Sequence, residues 1–250
     1  MTEIRRAFHE ELDEIASDVV RLGAMAVEAV QAGTDALLDG DLAAADRVVV
    51  EDGAIDDLMH SIEARTFLLL ARQQPMAVDL RMLVTVLRVI HELERAGDLM
   101  VNVARATRRL YPNRLDAKVR GLLHQMRQQA TAQLTLAIEA FARRDPARAT
   151  ALQDMDDVMD DLQKHLFRAI FSVNVSDEGA LQAAVQIALI GRYYERIADH
   201  AVNTGERVAF MVTGAGLETG RHLTAAPRAS PAMGPTRGGE DRTTGAPVGQ

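Results

Sequence analysis

The chain contains no cysteine and no tryptophan, and its aromatic residues amount to only 4% of 250. Without thiols there are no disulfides, no thiolate zinc sites and no cysteine nucleophiles, which fits a reducing compartment. Scarce aromatics argue against an extended sheet, and the dominant vocabulary of Ala, Leu, Val, Met and Arg favours helices. No apolar run approaches the roughly 18 residues of a membrane span. The opening stretch, MTEIRRAFHEELDEI, is charged and amphipathic and lacks the apolar stretch of a secretory signal. A cytoplasmic protein with no membrane span is expected. Excess positive charge is absent too: the formal net charge is −8, so no global field draws the chain onto nucleic acid. The local cluster Arg105, Arg108 and Arg109 fits the last turn of a helix, where cations complement the dipole.

Glycine and proline are scarce where they would matter most. Residues 214–250 hold 8 of the 17 glycines and 4 of the 7 prolines, with almost no periodic apolar pattern, and this segment is expected to be a disordered tail. In residues 1–213 the three prolines mark helix ends. Thr2 is placed to N-cap a helix running to about Asp39, with Ile4, Phe8, Leu12, Ile15, Val19, Leu22 and Ala26 at helical spacing. The DGD turn at 39–41 ends it, and Asp41 caps a second helix to about Gln73, which Pro75 breaks. A third runs from about Val78 to Leu110 and stops at Tyr111–Asn113. The fourth covers about Leu115 to Arg143. Asp145 caps a fifth with Pro146 at its first position, where a missing N–H costs nothing. Ser176 is a candidate cap for a sixth, reaching about Thr213.

Six long helices with short connections describe an antiparallel all-α bundle. They are also two sets of three. Shifting by 104 aligns DLAAADRVVVEDGAIDDL at Asp41 with DPARATALQDMDDVMDDL at Asp145, matching Asp52 to Asp156 and Asp56 to Asp160. Shifting by 101 aligns ERAGDLMVN at Glu94 with ERIADHAVN at Glu195, identical at five of nine positions. The expectation is an internal duplication: one three-helix repeat over 1–112, a second over 113–213, then the tail.

The repeated motifs place donors in columns. Glu94, Asp98 and Asn102 stack at i, i+4 and i+8 on one helix face, as do Glu195, Asp199 and Asn203. Asp52 with Asp56, and Asp156 with Asp160, form shorter columns on the preceding helix of each set. Like charges at i, i+4 oppose a helix by roughly 0.2–0.5 kcal/mol, so each column requires either open water or a cation. The columns border apolar and small residues (Leu93, Ala96, Gly97 and Val101; Ile197, Ala198 and Val202), hence a packed seam. Facing carboxylates and amide oxygens suit hard or borderline cations such as Mg²⁺, Mn²⁺ or iron. A ferritin-like di-iron site would require Glu-x-x-His on two helices, and the nearest segments, DLMH at Asp57 and HELE at His91, do not supply it. There is no Gly-rich phosphate loop, G-x-S-x-G elbow or H-E-x-x-H, so no catalytic residue is assigned. His200 is a candidate ligand or supporting group; Arg95 and Arg196 are expected to pair with acids on a neighbouring helix.

The segments DLRMLVTVLRVIHELERAGDLMVNVARATRR at 79–109 and GRYYERIADHAVNTGERVAFMVTG at 191–214 resemble the PhoU family of phosphate-uptake regulators, and the resemblance spans about 210 residues including the duplication. It implies two three-helix bundles related by pseudo-two-fold symmetry, usually assembled as homodimers. It also implies multinuclear binding of iron, zinc, manganese or magnesium at Glu94, Asp98, Glu195 and Asp199, with Asn102 and Asn203 beside them and Asp52, Asp56, Asp156 and Asp160 opposite. The implied role is regulatory: such proteins link the ATPase subunit of a phosphate ABC transporter to a phosphate-sensing histidine kinase, without catalysis. A purely structural scaffold with solvated acids, and a carboxylate-bridged metalloenzyme, are the alternative readings.

Overall fold

The computed structural model describes residues 2–73, 75–172 and 178–215, apart from the side chains of Thr2 and Ile4. Six helices follow one another: α1 (Thr2–Asp39), α2 (Leu42–Gln73), α3 (Val78–Leu110), α4 (Ala117–Arg143), α5 (Pro146–Ser172) and α6 (Glu178–Thr213). Among the described residues there is no strand. The expected caps at Thr2 and Ser176, and the expected disordered tail beyond Ala215, lie outside this description.

Local chemistry sets most boundaries. Gly40 adopts a positive φ of 66° after α1, the left-handed exit that glycine takes without a Cβ penalty. Asp41 then accepts the Ala44 N–H at 2.9 Å, and Asp145 accepts the Ala147 N–H at 3.0 Å ahead of α5, each satisfying a first-turn donor. Gly214, at φ 73°, closes α6. The fourth helix starts two residues later than expected, because Asp116 is its cap: the Asp116 carboxylate accepts the Lys118 N–H at 2.8 Å.

Helices α1–α3 pack on one another, as do α4–α6, and the two bundles join along α3 against α6 and α1 against α4. That pairing is pseudo-two-fold: α1 corresponds to α4 and α3 to α6, with α2 and α5 on the outside. One continuous core runs through both bundles, from Phe8 and Ile15 through Leu93 and Met100 to Ile197 and Met211. Each fully buried large aliphatic side chain contributes on the order of 1.5–3 kcal/mol. At the centre the buried Tyr194 hydroxyl lies 2.5 Å from Thr34 Oγ1. Thr34 donates its own proton to the Val30 carbonyl at 2.6 Å, so Tyr194 is the donor between them, and α6 is tied to α1 across the core.

The halves solve the same packing problem with different side chains. In the first, Ala104 of α3 packs with Ala45 and Val48 of α2. Offset by 101 and 104, the second places Gly205 of α6 against Ala149 and Leu152 of α5. A Cβ added at Gly205 would stand 2.7 Å from Leu152 Cδ1 and 3.0 Å from the Ala149 carbonyl oxygen. The larger leucine occupies the space the glycine leaves free.

Candidate cation sites on the acid columns

Columns from α2 and α3 face one another in the first bundle. Glu94 is mostly shielded, its side chain 14% exposed, and Asp98 is 40% exposed. Opposite, Asp52 reaches the glycine between them in sequence: its Oδ1 would stand 3.0 Å from a Cβ at Gly97. Glycine there lets a carboxylate of α2 approach the α3 backbone. Burial, and then the charges of Asp56, Asp98 and Glu94, push the Asp52 carboxyl up to about 6. Burial and Asp98 raise Glu94 as well, with Arg95 opposing. Four carboxylates therefore share one field, as the spacing of the motifs predicts.

In the second bundle, Glu195 is raised by burial and by Asp199, and Asp199 by burial, with Asp160 adding to both. One oxygen of Glu195 pairs with Arg192, while the other, Oε2, is buried without a hydrogen-bond partner. Asp156 is half-buried on α5. Both amides of the columns donate: Asn102 to the Asp98 carbonyl at 3.1 Å, Asn203 to Glu92 Oε2 at 3.2 Å.

The expectation for Arg95 is corrected. Arg95 does not reach a neighbouring helix; its flexible side chain lies along its own, 3.7 Å from Glu94 and 3.1 Å from Asp98. Arg192, one turn before Glu195, plays that part in the second column, and sequence spacing did not single it out. Arg196 is exposed and contributes to the field at Asp199. His200 turns to the seam between bundles, where its Nδ1 lies 2.7 Å from Glu92 Oε2 of α3. Glu92 was missed because it lies outside the repeated motif; its counterpart in α6 is Tyr193.

The donors fit a hard divalent cation in chemistry, since mutually repelling carboxylates line the seam and a buried oxygen of Glu195 has no donor. As the side chains stand, no three acid or histidine groups among the described residues converge on one point as an ion would require. Rotation of exposed carboxylates such as Asp98, away from Arg95, would have to accompany binding.

The profile of the PhoU domain matches this chain twice, over residues 19–107 and 123–208. The chain belongs to the PhoU family. The two matches start 104 residues apart and end 101 apart, the same offsets that align the helices. The phosphate-specific transport system accessory protein PhoU homolog 1 of Mycobacterium tuberculosis is 38% identical over 212 residues, 84% of this chain and 95% of the relative. The PhoU homolog 2 of the same organism is 36% identical over 213 residues, 85% and 99%. Among solved structures, PhoU from Pseudomonas aeruginosa superposes with a TM-score of 0.78 at 29% identity, covering 83% of this chain and all of that one. The PhoU regulatory protein of Streptococcus pneumoniae gives 0.76 at 28%, covering 83% and 98%. Among the described residues no helix is long and apolar enough to cross a membrane.

Proposed function

We propose that this PhoU protein is an accessory regulator of a phosphate-specific transport system, acting in the cytoplasm as a homodimer and as an adaptor without catalysis. The relatives' names support the transport association. Its partners on this reading are the ATPase subunit of the transporter and a phosphate-sensing histidine kinase. Residues 1–112 and 113–213 act as the two repeats that present equivalent surfaces.

The observation that carries the reading is the duplicated, mutually repelling carboxylate set at the α2–α3 and α5–α6 seams. Asp52, Asp56, Glu94 and Asp98 with Asn102 would hold iron, zinc, manganese or magnesium in the first bundle. Asp156, Asp160, Glu195 and Asp199 with Asn203 would do so in the second. A bound cation supplies positive charge that relieves the repulsion and links the outer helix to the central one. Occupancy would alter the surface read by partners to the extent that a partner prefers one state. Elemental analysis of protein purified without added metal, with pull-down of the transporter ATPase and the kinase, tests this. Glu94→Ala with Asp98→Ala is expected to lower metal content and partner recovery; unchanged values for both would contradict the proposal.

A second reading has its own support. Arg95 and Arg192 already neutralise part of each column, as a structural scaffold with solvated acids would arrange. On that reading the same double substitution leaves metal content and partner binding unchanged.

A further inference from the structure

The pseudo-symmetry fails at one end. At an offset of 104 the first residue of α1, Thr2, aligns with Ala106, but α4 begins only at Ala117. α4 has 27 residues against 38 in α1, so it lacks the counterpart of the first three turns of α1. In the first bundle those turns cover the start of α3. Phe8 and Leu12 are buried at 6% and 2% exposure, and Met82, Leu83 and Val86 of α3 at 3% or less. The two helices meet where His9 Nε2 lies 3.8 Å from Asp79 Oδ1.

In the second bundle the corresponding positions of α6 are Ala180, Ala183, Ala184 and Ile187. All four line a cavity of about 320 Å³, walled on its other sides by Leu110, Ile170, Val119 and the α3–α4 connection at Arg114, Leu115 and Asp116. At the offset of 104 the sequence counterparts of Phe8 and Leu12 are Pro112 and Asp116 of the α3–α4 connection, neither of them a large apolar side chain. From Glu178 to Leu189 no residue of α6 is fully buried, although this stretch carries a single charge, and Leu181 and Val185 are 53% and 48% exposed. A helix segment with apolar residues on more than one face is ordinarily covered on more than one face.

We propose that this groove is the docking site for an amphipathic helix of a partner protein, with large apolar residues four apart and an acidic outer face. The first bundle shows the occupant's form: the missing turns would place an aromatic and a leucine where Phe8 and Leu12 sit on α3. Charge supports the acidic face. The rim carries the exposed cations Arg109, Arg114 and Lys118, with Arg109 donating to Gln186 Oε1 at 3.3 Å. Among the described residues, the nearby acids Asp116 and Glu178 stand at the N-terminal ends of α4 and α6, where the helix dipoles favour them. Helix-in-groove recognition of this kind reads anchors at i, i+4 and i+7. The inference goes beyond cation binding and does not depend on it.

The chain supplies its own probe: an acetylated, fluorescently labelled peptide of residues 2–19, carrying Phe8, Leu12 and four acids between Glu10 and Glu14. Polarisation against the full-length protein is expected to show saturable binding. Leu12→Asp in the peptide, or Ala184→Glu in the protein, should weaken it at least tenfold. Leu181→Glu, on the exposed edge and thus compatible with folding, should weaken it severalfold. A photo-crosslinking amino acid in place of Leu181 should capture the peptide. Absence of saturable binding, or affinity unaffected by both protein variants, overturns the proposal. So does crosslinking of position 181, without peptide, to residues 216–250 or to a second copy, since that would name a different occupant.

Discussion

His200 of α6 and Glu92 of α3 meet across the seam between the two bundles, Nδ1 to Oε2 at 2.7 Å, with side chains only 15% and 18% exposed. Asn203 donates to the same oxygen. One carboxylate thus holds two groups of the second bundle. A hydrogen bond to a charged group contributes roughly 1.5–3 kcal/mol. Glu92→Ala is expected to lower stability by about 2 kcal/mol, read as a lower urea midpoint with unchanged slope. A double-mutant cycle with His200→Ala should show coupling of about 1 kcal/mol.

Asp52 gives a pH dependence whose sign follows from its raised value. Its carboxyl titrates at about 6 in the folded chain, against an ordinary 3.8. The folded state therefore binds the proton more tightly, and Asp52 reduces stability as pH rises from about 4 to about 6, with the full penalty above that. Solvent screening at this half-buried site holds the effect to about 1 kcal/mol. Asp52→Asn should stabilise metal-free protein at pH 7 and flatten the decline of its melting temperature over that range, while weakening cation binding.

Arg95 competes with any cation for Glu94 and Asp98. Arg95→Ala is expected to raise the affinity of the first site for Mn²⁺ severalfold in a calorimetric titration, with little change in stability because the arginine is 61% exposed.

The packing of Gly205 against Leu152 predicts a compensating pair. Gly205→Ala alone forces a Cβ to 2.7 Å from Leu152 Cδ1 and should cost about 1–3 kcal/mol. Adding Leu152→Val recreates the alanine–valine pairing of Ala104 with Val48 and should recover most of the loss in thermal denaturation.

Much of this fold is written locally in the sequence. Asp41, Asp145, Gly40 and the three prolines fix helix ends through contacts a few residues away, and α1 to α4 end where those signals stand. The start of α4 was misplaced because Leu115 continues the apolar pattern while Asp116 takes the cap. The acid columns were legible because duplication repeats them at fixed offsets. Glu92 was not: its partners lie 108 and 111 residues away, and nothing in its own helix marks it. The routes of Arg95 and Arg192 were equally hidden, since a long cationic side chain reaches several acids and only packing selects among them. The cavity beside α6 appears only once both bundles are compared in space.

Titration of metal-stripped, full-length protein with Mn²⁺ by calorimetry tests the cation sites most directly. Two classes of saturable site are expected, one lost in Glu94→Ala with Asp98→Ala and the other in Glu195→Ala with Asp199→Ala. Heats that fail to saturate, or that are the same in both double variants as in the unaltered chain, would contradict the account.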